Sequence, residues 1–115
     1  ALMRAEKVGK KAKCFDFADE DEVVEKIHEE MAELRVASVA GDADACEEEV
    51  GDLLLSITSL CRKLSIDPEV ALNRATDKFI RRFELLENAV TAEGKTMENL
   101  SSEELNRIWN ENKHK

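Results

Sequence analysis

One proline and four glycines are the only strong chain-breakers in 115 residues. So little punctuation argues against a fold of many short strands and tight turns, and for a few long helices. The start and stop signals divide the chain accordingly. Residues 1–13 suit a short helix with Leu2, Ala5, Val8 and Ala12 on one side and Arg4, Lys7, Lys10, Lys11 and Lys13 over the rest. Phe15-Asp16-Phe17 breaks the pattern with two apolar anchors. Asp19, with Glu22 three residues on, forms a capping-box pattern that opens a helix running to Val39 or Ala40 and stopping at Gly41. Asp42 or Asp44 opens the next helix, which reaches the region of Leu64. Asp67-Pro68-Glu69 is a cap followed by proline at the first helical position. That helix continues to Ala92, with Ala71, Ala75, Phe79, Phe83, Leu86 and Val90 as its inner face, and Gly94 ends it. Thr96 and Ser101 begin short helical turns, the last anchored by Leu105, Ile108 and Trp109. The expectation is an all-α fold, one domain over residues 1–115 built on three long helices.

Leu53-Leu54-Leu55-Ser56-Ile57 is apolar on nearly every side. A helix apolar all round is surrounded by other helices, and in so short a chain this predicts a subunit interface.

Two pairs of acids stand out on these helices: Glu30 with Glu33, and Glu49 with Asp52. Residues three apart share a helix face, so each pair can present two carboxylates to one point. Glu30 falls at the edge of the apolar face formed by Val23, Ile27, Met31 and Leu34. Glu49 falls inside the stripe of Cys46, Leu53, Ser56, Ile57 and Leu60, and Asp52 borders it. A carboxylate in an apolar stripe must be paired or metal-bound, because burying it alone is very unfavourable. Two such helices side by side would gather four carboxylates, an oxygen-only donor set suited to Mg²⁺ before Ca²⁺ or Mn²⁺.

Lys78-Phe79-Ile80-Arg81-Arg82-Phe83 supplies the opposite charge. Lys78 and Arg82 are four apart on one stripe, where arginine can fork two phosphate oxygens and lysine offers a mobile point charge. The net charge of −9 argues against binding nucleic acid or an anionic membrane. No apolar run approaches the roughly 20 residues that a helical membrane span requires. Three cysteines without metal-ligand spacing and no signal peptide fit a reducing, cytoplasmic setting. Glu25-x-x-His28 has the spacing of a di-iron carboxylate motif, but such bundles need two, and His114 is the only other histidine.

These motifs together resemble the MazG-type nucleoside triphosphate pyrophosphohydrolases, in particular the C-terminal domain of the full-length members. The resemblance is carried by Lys26-x-x-Glu29-Glu30-x-x-Glu33, Glu48-Glu49-x-Gly51-Asp52-Leu53-Leu54, Asp67-Pro68-Glu69-x-Ala71-Leu72, Lys78-Phe79-x-x-Arg82-Phe83 and Leu105-x-x-x-Trp109-x-x-x-Lys113. The opening Ala1-Leu2-Met3-Arg4-Ala5 matches the family's lead-in, and a start without Met suggests a piece of a longer chain or a processed form. The resemblance implies Glu30, Glu33, Glu49 and Asp52 as Mg²⁺ ligands and catalytic acids. It also implies that Lys26, Glu29, Glu30 and Asp52 line the nucleotide, Lys78 and Arg82 hold the phosphates, and Trp109 contacts the nucleoside. The implied reaction is Mg²⁺-dependent hydrolysis of NTP or dNTP to monophosphate and pyrophosphate, with housecleaning of the nucleotide pool as its role. The implied assembly is a homodimer with a four-helix-bundle core. The alternative is a catalytically silent nucleotide-binding or dimerisation module. Asp77 departs from the family pattern, where asparagine commonly precedes the Lys-Phe pair.

Overall fold

The computed structural model describes residues 1–113. Among them are five α-helices: α1 Leu2–Lys11, α2 Glu20–Ala40, α3 Ala43–Lys63, α4 Pro68–Ala92 and α5 Ser102–Asn112. Single 3₁₀ turns at Lys13–Phe15 and Met97–Asn99 follow α1 and precede α5. The all-α expectation holds, and the described residues contain no strand.

The helix ends are set by side chains that satisfy backbone groups left without an intrahelical partner. Asp19 Oδ1 accepts the Glu22 amide at 2.9 Å, and Glu22 Oε2 accepts the Ala18 amide at 2.8 Å. The capping box is therefore reciprocal, but shifted one residue outward on its return bond. Asp42, not Asp44, caps α3 by accepting the Ala45 amide at 3.0 Å. Asp67 Oδ1 accepts the Glu69 amide at 2.9 Å, and Ser101 Oγ accepts that of Glu104 at 3.2 Å. Gly41 closes α2 with a φ of 70°, donating to the Ser38 carbonyl while the Asp42 amide reaches Ala37. That is a conformation glycine adopts without steric cost. α3 stops in the same way at Ser65, whose φ is 58°, with the Ile66 amide bonded to the Cys61 carbonyl.

The chain divides into two compact units, Ala1–Ala71 and Leu72–Lys115. In the first, α2 and α3 pack along each other as a helical hairpin, and α1 lies on α3. Its buried residues are few: Val23, Glu30 and Ala37 from α2, Ser56, Thr58 and Ser59 from α3, and Pro68 at the start of α4. The hydroxyl of Thr58 donates to the Leu55 carbonyl at 2.7 Å, so its burial leaves no unmet group. Gly9 is where α1 comes closest to α3, since a Cβ there would overlap the Arg62 guanidinium. In the second unit Leu86, Val90 and Ile108 form the core, with Ala89, Met97, Leu100, Leu105 and Trp109 packed on it. Each fully buried aliphatic side chain contributes about 1.5–3 kcal/mol.

The expected inner face of α4 is only half inside. Leu86 and Val90 are buried, whereas Ala71 and Ala75 are exposed and Phe79 remains 57% exposed. Leu54 and Leu55 on α3 are 51% and 52% exposed, so the segment that is apolar all round is likewise only partly covered. In both places apolar side chains are left open to solvent among the described residues.

Candidate carboxylate metal centre

Two facing helices build the site. α2 carries Glu30 and Glu33 one turn apart, and α3 carries Glu49 and Asp52 one turn apart. The register of the hairpin brings one carboxylate oxygen from each of Glu30, Glu49 and Asp52 within 4.8 Å of one another. Glu30 is buried, with 4% exposure, Glu49 is half-buried and Asp52 is exposed, so the group runs from the helix interface to solvent. Glu33 is exposed at the edge of this set and close enough to act on both Glu30 and Glu49.

Charge is held there by two devices. Lys26 Nζ lies 3.2 Å from Glu30 Oε1 and 3.7 Å from Glu29 Oε2. Burial pushes the Glu30 carboxyl up, but its bonds with Lys26 and Glu49 outweigh this and hold it below the ordinary range. Those same acids raise the Lys26 ammonium, its bond to Glu30 foremost. Glu49 moves the other way. Its hydrogen bond with Glu30, then desolvation and the neighbouring Glu33, push it up to about 7. Like charges at this separation oppose full ionisation of the group.

Glu30 Oε2 and Glu49 Oε2 are buried without a hydrogen-bond partner. Buried oxygens of this kind are rarely left unmet. Two orphaned carboxylate oxygens, with Asp52 at the solvent edge, form a hard, anionic, all-oxygen donor set. They fit a divalent cation such as Mg²⁺ or Mn²⁺, and no nitrogen or sulfur donor stands among them.

The other sequence-predicted residues lie on α4 and α5. Lys78 is exposed and Arg82 half-buried, with Arg82 Nε buried and unpartnered. The Trp109 ring lies 5.8 Å from Phe79 at a 44° tilt, and Phe79 stacks on Phe83 at 6.1 Å and 17°. Phe79, Phe83, Leu86, Leu105, Asn106 and Trp109 line a cleft of about 240 Å³. Asp77 is exposed on α4. Glu25 and His28 are both exposed, and His114, the other histidine of the di-iron alternative, lies outside the described residues.

Sequence reasoning passed over Arg62. It lies in the last turn of α3, with Nη2 3.3 Å from Asp16 Oδ1 and 2.9 Å from Ser59 Oγ. Lys63 Nζ reaches the other Asp16 oxygen at 3.4 Å. Burial pushes the Asp16 carboxyl up, but the bond and charge of Arg62, the Phe17 amide and Lys63 hold it below its ordinary value. The signal available was an aspartate placed between two phenylalanine anchors, which needs a buried cation.

Fold and site together define an all-helical protein with a carboxylate cluster fitted to a divalent cation. The MazG nucleotide pyrophosphohydrolase domain model matches residues 18–86, a span that includes all four acids, Lys78 and Arg82. The chain belongs to the MazG nucleotide pyrophosphohydrolase family. It is 45% identical over 95 residues to the nucleoside triphosphate pyrophosphohydrolase/pyrophosphatase MazG of Thermotoga maritima, covering 83% of this chain and 36% of that protein. It is 40% identical over 115 residues to the nucleoside triphosphate pyrophosphohydrolase of Escherichia coli K12, covering 95% of this chain and 43% of that one. A Bacillus subtilis protein, YabN, is 38% identical over 65 residues, 56% of this chain and 13% of its own length. The chain therefore spans well under half of the curated relatives it matches.

Proposed function

We propose that the chain hydrolyses nucleoside triphosphates, ribo or deoxy, between the α and β phosphates, giving nucleoside monophosphate and pyrophosphate. The observation that carries this reading is the Glu30, Glu49 and Asp52 cluster with its two orphaned buried oxygens. The names of the Thermotoga and Escherichia relatives support it.

Glu30, Glu33, Glu49 and Asp52 would hold the cation, Mg²⁺ by preference, which would supply charge neutralisation of the triphosphate and polarisation of the attacked phosphorus. The side chains do the rest. Lys26 and Glu29 line the nucleotide beside the cluster. Glu30 or Glu33 takes the proton of the attacking water; Lys26 keeps Glu30 ionised for this, and Glu33 is exposed at the cluster's edge. Lys78 and Arg82 offset the charge that develops on the leaving pyrophosphate. Trp109 offers its indole face to the base. A second copy of the chain completes the helix bundle, and removal of non-canonical nucleotides is the role that such an activity serves.

Product analysis on a panel of NTPs and dNTPs, with and without Mg²⁺, tests this. Monophosphate and pyrophosphate appear, and chelator abolishes both. Diphosphate and orthophosphate would mean the scissile bond is wrong. Nucleotide binding without turnover would make the chain a silent module.

A further inference from the structure

The acid cluster absorbs the middle of the α2–α3 hairpin, but the strongest cationic feature of the same unit lies elsewhere. Lys10, Lys13, Arg62 and Lys63 line an open cleft of about 810 Å³, together with Cys14, Asp16 and Phe17. Four cations face one carboxylate in a chain whose net charge is −9. Arg62 and Lys63 both draw on Asp16, so a single negative charge serves two positive ones. Arg62 Nε and Nη1 are buried with no partner, and that guanidinium has no other carboxylate to neutralise it among the described residues. Lys10 is steadied by Glu6 at 3.1 Å, while Lys13 makes no ion pair among the described residues. Arg62 is ten residues beyond Asp52 on α3, about 15 Å along the helix axis. The cleft is therefore a separate place from the carboxylate centre.

We infer that this cleft at the α1–α3 junction binds an oligophosphate group, either free pyrophosphate or the phosphate tail of a nucleotide. Two features select that chemistry. The Asp16 bridge holds Arg62 and Lys63 in fixed positions on a rigid helix, which reduces the entropy lost when an anion docks. Lys10, at the end of α1, and Lys13, in the turn after it, also line the cleft, and ammonium groups bind phosphate oxygens as point charges. A volume of 810 Å³ is far more than a single chloride requires and accommodates a hydrated multivalent anion. The half-buried Phe17 gives the wall one apolar ring, against which a nucleoside can rest. Gly9 belongs to the same construction, because the missing side chain is what lets the Arg62 guanidinium lie under α1. This site does not depend on the hydrolytic reading.

The test is calorimetric titration of the full chain with inorganic pyrophosphate in excess chelator, which removes cation-bridged binding at the acids. Three proteins are compared: the parent, the double variant Lys10→Gln/Lys13→Gln, and Lys78→Gln as the control for the phosphate-holding cations on α4. Both replaced lysines of the pair are exposed, so the double variant folds, as its circular dichroism melt checks. The expected result is saturable binding to the parent, at least ten-fold weaker in the double variant and unchanged in Lys78→Gln. Triphosphate turnover in Mg²⁺ stays at the parental rate in the double variant. Absence of pyrophosphate binding to the parent, or equal weakening in both variants, overturns the inference. A parallel titration with a non-hydrolysable triphosphate analogue distinguishes the sources. Tighter binding than pyrophosphate, lost with the lysine pair, assigns the cleft to a nucleotide tail; equal or weaker binding assigns it to the free anion.

Discussion

Glu49 is the residue at which ionisation, fold and proposed chemistry meet. Its carboxyl is raised from 4.5 to about 7 by the hydrogen bond with Glu30, by desolvation and by Glu33. Between those values the folded chain keeps a proton that the unfolded chain releases. Stability of the cation-free protein therefore falls as pH rises through that window. Glu30 is shifted the opposite way, so its contribution is lost only as pH drops below the ordinary carboxylate range. In chelator the parent accordingly melts lower near pH 8 than near pH 5.5, by the linkage just given. Glu49→Gln mimics the protonated acid, so its melting temperature changes less between the two. On the proposed function the same substitution removes a cation ligand, so turnover should be abolished while the helical signal is retained. A variant with the parental pH slope would remove Glu49 as the proton holder, and full turnover would remove the site as drawn.

At the scale of helices, what the sequence discloses depends on how local the physics is. Asp19, Asp67 and Ser101 were legible as caps because a cap satisfies an amide two or three residues away. Asp42 against Asp44 was left open because both spacings serve. The paired acids were legible as helix-face patterns, since i and i+3 fix a shared direction. Their three-way meeting was not, because it depends on the register of α2 against α3. Arg62 and Asp16 are 46 residues apart, and nothing in the pattern of α3 marks where its last turn lands. Ser65 escaped for another reason: it occupies the left-handed position that glycine usually fills. That conformation costs a non-glycine residue roughly 1–2 kcal/mol. Glycine would remove the strain while giving back about 0.5–1 kcal/mol through the freer unfolded chain. Ser65→Gly should therefore raise stability by about 0.5 kcal/mol, a rise of roughly 2–4 °C in a differential scanning melt. Ser65→Val, β-branched and unsuited to positive φ, should lower it. Equal melting for serine, glycine and valine would show that the terminus does not hold this geometry in solution.

The whole chain is short of interior. Among the described residues the buried apolar ones are Val23, Ala37, Leu86, Val90 and Ile108, split between two units. Ion pairs such as Arg107–Glu111 are exposed, where solvent and salt screen them. Meanwhile Leu54 and Leu55 on α3, and Leu72, Phe79 and Ile80 on α4, stand open to solvent. Patches of that kind on a small protein mark a surface meant to be covered. The economical cover is a second copy of the same chain, which adds apolar burial to both partners at once. If a second copy covers them, folding and association should behave as one equilibrium, with a melting temperature that depends on protein concentration. Sedimentation should find a dimer, and a ten-fold dilution should lower the melting temperature measurably. Leu54→Glu, which sets a charge in the exposed stripe of α3, should shift the chain toward monomer and lower its melt by several degrees. A chain that sediments as a monomer and melts at one temperature across dilution would require another source of stability, and would leave the apolar faces of α3 and α4 to a different partner.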